Sequence, residues 1–195
     1  MKPSLYYPIK PYGVNQAFGA NPDYYAKFLD PFGVPQKGHP GIDLTAPHGT
    51  PVYAAHSGQA IYLKDSHGGE GIYIYGAGYV TIYWHLIGDT DFHFPPPIPF
   101  DKGYHSVMAG DLIGYADNTG APYESSGDHC HFGLAFTDKN NQITNLHNGF
   151  AGCVDPAPYF NGQYAQDIPK SQAYIEHLFE ICLQLLGLKR SVTNQ

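Results

Sequence analysis

A chain of 195 residues with 43% hydrophobic side chains fits one domain with a buried core, and 23 glycines and 17 prolines exclude an all-helical protein. Its 17 tyrosines and 11 phenylalanines favour strands and an aromatic-lined cleft. Ten basic against 17 acidic residues give a net charge of −7, which excludes electrostatic capture of nucleic acid or of another anionic polymer.

Residues 1–36 read as an entry segment, with a short strand near Val14 to Phe18 and a turn at Asn21-Pro22-Asp23. Its start, Met1-Lys2-Pro3-Ser4-Leu5-Tyr6-Tyr7, lacks the apolar stretch of a secretory leader, so action inside the producing cell, release by lysis and a processed form are the alternatives. From His39 to about Gly149 the texture is short strands and tight turns. Pro51 to Ala55 and Ser57 to Leu63 read as strand, turn and strand. Gly71 to Tyr75 and Tyr79 to Trp84 read as a hairpin around Gly76-Ala77-Gly78. Asp111 to Ala116 and His131 to Phe136 add two strands. The proline-rich stretch from Asp89 to His105 is either a wall or lid of a cleft or a surface insertion without a role. Ser171 to Leu188 is the one helix the sequence predicts, with Ile175, Leu178, Phe179, Cys182, Leu185 and Leu186 on an apolar face that should pack on the domain or meet a partner. No segment is long and apolar enough to span a membrane. Cys130, Cys153 and Cys182 lack CxxC spacing and read as free thiols, with one disulfide left open.

Two segments carry metal chemistry. His39 and Asp43 are four apart, but Pro40-Gly41 between them disfavours a helix, so a turn entering a strand is expected. His129 and His131 stand at i and i+2 of a strand, where side chains share one face and Cys130 points to the other. Imidazole nitrogen and carboxylate oxygen suit zinc, whose catalytic sites take three protein ligands and leave a place for water. His39, Asp43 and one histidine of the pair would supply them, and the spare histidine would serve as a base.

These segments resemble the M23 family of zinc metallopeptidases, of the lysostaphin/LytM type, which cut peptidoglycan peptides. The family's motifs occur in order as His39 to Asp43, Pro47-His48-Gly49-Thr50-Pro51-Val52, Tyr83-Trp84-His85-Leu86 and His129-Cys130-His131-Phe132. The resemblance implies a mainly β fold, a compact antiparallel core of the duplicated-hybrid-motif, barrel-sandwich type with long loops and a C-terminal helix. It implies a peptidase domain over 1–165, with its core at about 10–160, and a helical tail over 166–195. The zinc ligands would be His39, Asp43 and His131, one ion per chain, and the catalytic residues His85 and His129. His129 would be the general base, and His85 would orient or stabilise the oxyanion; the two roles are interchangeable from sequence. The substrate would be the cross-links or stem peptides of peptidoglycan, met at the wall outside the cell or in the periplasm.

Four features depart from the family pattern. Phe18-Gly19-Ala20-Asn21 lacks the arginine that often follows, the loop from Gly88 to Ser106 is long, Cys130 replaces an aliphatic residue, and the closing turn from Asn148 to Pro156 carries extra residues. None removes a ligand. Two other functions compete. A non-catalytic scaffold of the same fold that activates another wall hydrolase would be expected to lack ligands, and all are present. A lipoyl-like carrier needs a lysine at a hairpin tip, and Lys64 lies in no such motif. His48, His56, His67, His93, His105, His147 and His177 match no ligand position and are expected in solvated or capping roles. Asp128 reads as a turn residue.

Overall fold

The computed structural model describes residues 2–29, 33–66, 68–88, 91, 93–121 and 125–185. In chain order the elements are β1 (Leu5–Tyr7), β2 (Val14–Gln16), α1 (Pro22–Tyr25), β3 (Ile42–Thr45), β4 (Pro51–Tyr53), β5 (Gly58–Asp65), β6 (Gly69–Tyr75) and β7 (Tyr79–Trp84). They continue with β8 (His105–Val107), β9 (Leu112–Tyr115), β10 (His129–Phe136), β11 (Cys153–Val154), β12 (Phe160–Tyr164) and α2 (Lys170–Leu185). One sheet runs β2-β3-β10-β7-β6-β5-β8, with β11 added to β10. β4 pairs with β9, and β1 with β12. All pairings are antiparallel except β1–β12, which is parallel.

The period-2 alternation of these strands sorts their side chains onto two faces. Ile42, Leu44, Ile72, Tyr83, Cys130, Phe132 and Leu134 turn to one side and form the main core. Burying each of the larger of these side chains contributes about 1.5–3 kcal/mol. On the other side Val80, Ile82, Ala135 and Cys153 form a smaller cluster, flanked by Tyr73 and Trp84. Cys130 thus faces the core, as strand alternation requires, and its thiol is free, as are Cys153 and Cys182. Register then does the rest: His131 stands opposite Asp43 on β3 and opposite Trp84 on β7.

Three expectations need correction. Of the two roles expected for the apolar face of the C-terminal helix, packing on the domain is not met by its four described side chains, while the Leu185 side chain lies outside what the structure describes. Ile175 is 65% and Leu178 42% exposed, and Phe179 and Cys182 are also exposed, whereas Ala173 is buried. The helix docks through small and polar contacts instead: Tyr6 Oη donates to Glu176 at 3.0 Å, and Lys170 pairs with Asp111. Residues 186–188, including Leu186 and Gly187, lie outside the described residues. His56 is not solvated but buried, with Nε2 2.8 Å from Thr81 Oγ1 and Nδ1 donating to Ser57 O at 2.9 Å. Burial pushes its pKa down to about 4, so it is a neutral core histidine. The proline-rich loop is not a bare surface insertion, and none of its described residues lines the cleft described below. Ile98 enters the main core, and Phe94 and Phe100 pack on Tyr115 and Tyr62 at ring-centroid distances of 5.0 and 4.3 Å. Among the described residues no helix is long and apolar enough to cross a membrane.

Candidate active site

The His39–Asp43 segment is drawn onto β10 by glycine. A Cβ on Gly41 would lie 2.6 Å from the Phe132 carbonyl oxygen and 2.7 Å from the His131 ring, so only glycine lets the two strands approach this closely. His39 is pinned from the other side, since its N–H donates to Ala20 O at 3.0 Å and its carbonyl accepts from Gly19 N at 2.9 Å. Its Nδ1 lies 3.3 Å from Ala17 O, a bond that makes Nδ1 the donor and leaves Nε2 with its lone pair.

Three ligand-capable atoms converge here. His39 Nε2 is 2.9 Å from His131 Nδ1, and Asp43 Oδ1 is 3.1 Å from both. His39 is 1% exposed, and side-chain exposures of Asp43 and His131 are only 14% and 12%. Burial tends to raise the Asp43 carboxyl, but hydrogen bonds from His131 and His39 outweigh it and hold the group well below the usual carboxylate range. Burial lowers the His131 pKa against the pull of Asp43. The cluster thus brings two imidazole nitrogens and a carboxylate oxygen to one point, a donor set that suits a cation.

Two more histidines face this point. His129 Nε2 is 3.5 Å from Asp43 Oδ1, and its Nδ1 donates to Gly127 O at 2.7 Å. His85 follows β7 with φ 64°, an uncommon left-handed conformation for a residue other than glycine. Its ring centroid lies 4.6 Å from that of His129 and 6.2 Å from that of His131. Burial, with the neighbouring His131 and His129, pushes its pKa down to about 4.

The segment Asp117-Asn118-Thr119, which sequence reasoning passed over, braces both. Asp117 N donates to His85 O at 2.8 Å, and Asp117 O accepts from His129 N at 3.1 Å. Thr119 O accepts from His85 Nδ1 at 2.7 Å, while Thr119 Oγ1 donates to Leu86 O at 2.7 Å and accepts from Glu70 N at 3.1 Å. Ser125 Oγ joins Asn118 Oδ1 and Gly127 O beside His129. The one signal in the sequence is the turn-forming Asn118-Thr119-Gly120. All five residues expected at the site are brought together. Asp128 instead accepts from His48 N at 3.3 Å, in keeping with a turn role. His48, His93 and His105 pair with Asp117, Asp91 and Asp101 away from the cluster, and His67 lies outside the described residues.

Known proteins share parts of this chain's sequence and its fold. DD-carboxypeptidase/endopeptidase Mpg of Neisseria meningitidis serogroup B is 31% identical over 125 residues, which cover 59% of this chain and 26% of that protein. The chain thus spans about a quarter of the length of the curated relatives it matches. Among solved structures, LytU shares 25% identity with a TM-score of 0.52, over 77% of this chain and 85% of that one. A zinc-containing peptidase from Vibrio cholerae shares the fold, with a TM-score of 0.50 at 22% identity over 86% of this chain and 41% of that one. The model of peptidase family M23 matches residues 37–145, more than half of the chain and inclusive of all five clustered residues, and the chain therefore belongs to that family.

Proposed function

We propose that this chain is a zinc-dependent endopeptidase that hydrolyses cross-links or stem peptides of bacterial peptidoglycan, and so acts at the cell wall. The observation that carries the reading is the convergence of His39, Asp43 and His131, whose ligand atoms all lie within 4.8 Å of one another, with two further histidines facing them. Two imidazole nitrogens 2.9 Å apart cannot both present lone pairs without a proton or cation between them, and zinc fits this nitrogen and oxygen set. His39 Nε2, Asp43 Oδ1 and His131 Nδ1 would hold the ion, which supplies Lewis acidity at the scissile carbonyl and makes water more acidic. The peptidase activities in the name of the Neisseria relative favour the same reaction class.

The chain's own residues then handle protons. With Nδ1–H tied to Gly127 O, His129 offers the Nε2 lone pair and accepts a proton from the attacking water. It can return that proton to the leaving amine. His85, tied by Nδ1–H to Thr119 O and neutral, also offers a lone pair at Nε2, so it orients the same water as an acceptor. Thr119 acts through His85 as a positioning residue. Thr119→Val keeps the shape but removes both bonds of Oγ1, and should lower kcat about tenfold with KM and zinc content unchanged. Thr119→Ser should restore it. Steady-state kinetics with metal analysis checks both.

The scaffold alternative gains nothing from this arrangement, since scaffolding needs no convergent histidines. The test of the main reading is digestion of purified peptidoglycans of defined cross-bridge type by the zinc-loaded chain, with mass spectrometry of the fragments. Peptide-bond cleavage of at least one wall type, with about one zinc per chain, is expected. Intact walls of every type after incubation with zinc-loaded protein would overturn it.

A further inference from the structure

The sheet face that carries the metal-ligand cluster extends well beyond it. Val80, Ile82 and Trp84 share that face of β7, and Trp84 stands opposite His131. Ile82 and Trp84 line the cleft at the cluster, together with Tyr73, Tyr24 and Phe28. Four residues back along β7, a distance of about 13 Å at 3.3 Å per residue, Val80 begins a second row of side chains. Val80 is opposite Tyr75 on β6, Tyr75 is opposite Gln59 on β5, and Gln59 is opposite Ser106 on β8. Cross-strand partners project on the same side of a sheet, so Tyr75, Gln59 and Ser106 stand side by side.

This row borders a second cleft, of about 370 Å³, whose lining also includes Asn141 and, from α2, His177 and Ile181. Glycine leaves bare backbone in it: a Cβ on Gly58 would collide with the Tyr75 carbonyl oxygen, and one on Gly76 would lie 2.9 Å from the Tyr79 ring. Among the described residues that line it there is no lysine, arginine, aspartate or glutamate. Amides and hydroxyls stand there instead, beside the His177 imidazole. Gln59 Nε2 donates to Ser106 Oγ at 2.8 Å, which leaves Gln59 Oε1 as an acceptor and the Ser106 O–H as a donor. Asn141, in a turn at φ 60°, adds a side-chain amide. Tyr75 supplies aromatic surface, edge to face at 5.9 Å with Tyr104, which is itself exposed.

An ion entering this cleft would lose hydration without meeting an opposite charge in its described lining. A wholly apolar ligand would leave the amides and hydroxyls unpaired. A pyranose ring meets both demands, with hydroxyl and acetamido groups around its rim and a C–H face to lie against a tyrosine. The net charge of −7 points the same way, because an acidic chain gains nothing from long-range attraction to an anionic polymer and must hold it through uncharged contacts.

We infer that this second cleft binds a neutral N-acetylated saccharide, a stretch of glycan strand, and so anchors the polymer while an attached peptide reaches the metal-ligand cluster on the same sheet face. The choice of glycan rests on the peptidoglycan reading above. An extended peptide advances about 3.3 Å per residue, so about four residues cover the distance between the two rows.

The test is a chemical-shift titration of the zinc-loaded 195-residue chain with a peptide-free tetrasaccharide of N-acetylglucosamine. The backbone amides of Gly58, Gly76 and Ala77 should shift and saturate. The double variant Gln59→Ala, Ser106→Ala changes two exposed positions outside the catalytic cluster. It should weaken the saccharide at least about fivefold with zinc content unchanged, and should raise KM on intact peptidoglycan with kcat retained. Shifts confined to other surfaces, the absence of any saturable shift, or unchanged affinity in the double variant overturns the site. So does a tetra-alanine peptide that shifts the same amides at equal or lower concentration, which would make the cleft a peptide site. Saccharide binding with KM on the polymer unchanged in the variant overturns the anchoring role. Because the titration reads binding, it is decided whether or not any wall is cut, and failure of the peptidase reading shows separately in the digestion assay.

Discussion

Asp43→Ala is expected to abolish stoichiometric zinc binding and to lower kcat/KM on purified peptidoglycan more than about a thousandfold. The reason is the position of one oxygen. Asp43 Oδ1 lies 3.1 Å from His39 Nε2, 3.1 Å from His131 Nδ1 and 3.5 Å from His129 Nε2, so a single atom faces both nitrogen ligands and the proposed base. It is also the only anionic group in the cluster. Removing it leaves two neutral imidazoles, a set that binds zinc weakly and cannot offset the ion's charge. Asp43→Asn retains the volume and one oxygen, and should also lose most of the zinc, which separates charge from packing. The effect on folding should be small in metal-free protein, because the carboxylate is held by the same histidines and not by the core. Metal analysis of the purified variants, beside their kinetics, checks this. An Asp43→Ala protein with one zinc per chain and activity within about tenfold of wild type would sink the ligand assignment.

The parts of this site that were legible in the sequence are those set by local rules. Strand alternation alone places His129 and His131 together and sends Cys130 to the core, and the structure has this arrangement. Pro40-Gly41 argues for a turn before a strand, and β3 begins at Ile42. The long-range pairing of His39 with His131 came from family resemblance, because spacing says nothing of which strands adjoin. What escaped notice depends on tertiary approach. Thr119 holds His85 through its backbone carbonyl, which every residue carries, while its hydroxyl braces the turn through Leu86 and Glu70, partners that no local pattern marks. Gly41 looks like any turn glycine until the ring of His131 is seen against it. Trp84 and Tyr73 read as ordinary strand aromatics, while Tyr24 and Phe28 lie in an entry segment with only a turn signal, yet the fold brings them to one pocket. The helix near the C-terminus shows the opposite failure. Its apolar periodicity is real, but periodicity does not say that a matching surface exists, and the domain offers its Ala173 side only a small polar seat.

His129→Ala and His85→Ala should both retain zinc, which distinguishes them from Asp43→Ala, and they should differ from each other in the rate they lose. Loss of a general base costs about 10²–10⁴ in kcat, and His129→Ala is expected within that range. His85→Ala should cost less, about 10–100-fold, as loss of an orienting hydrogen bond does. The geometry favours this order. His129 Nε2 is directed at the ligand cluster, 3.5 Å from Asp43 Oδ1. His85 is also depressed to about pKa 4 by burial and by two neighbouring histidines, so taking up a proton there is costly. The double variant should be little worse than His129→Ala, because an oriented water has no use without an acceptor for its proton. Single-turnover rates on a defined muropeptide, with zinc measured on the same samples, decide the matter. A larger loss for His85→Ala would exchange the two roles, and loss of zinc from His129→Ala would make that residue a ligand and return the base to His85.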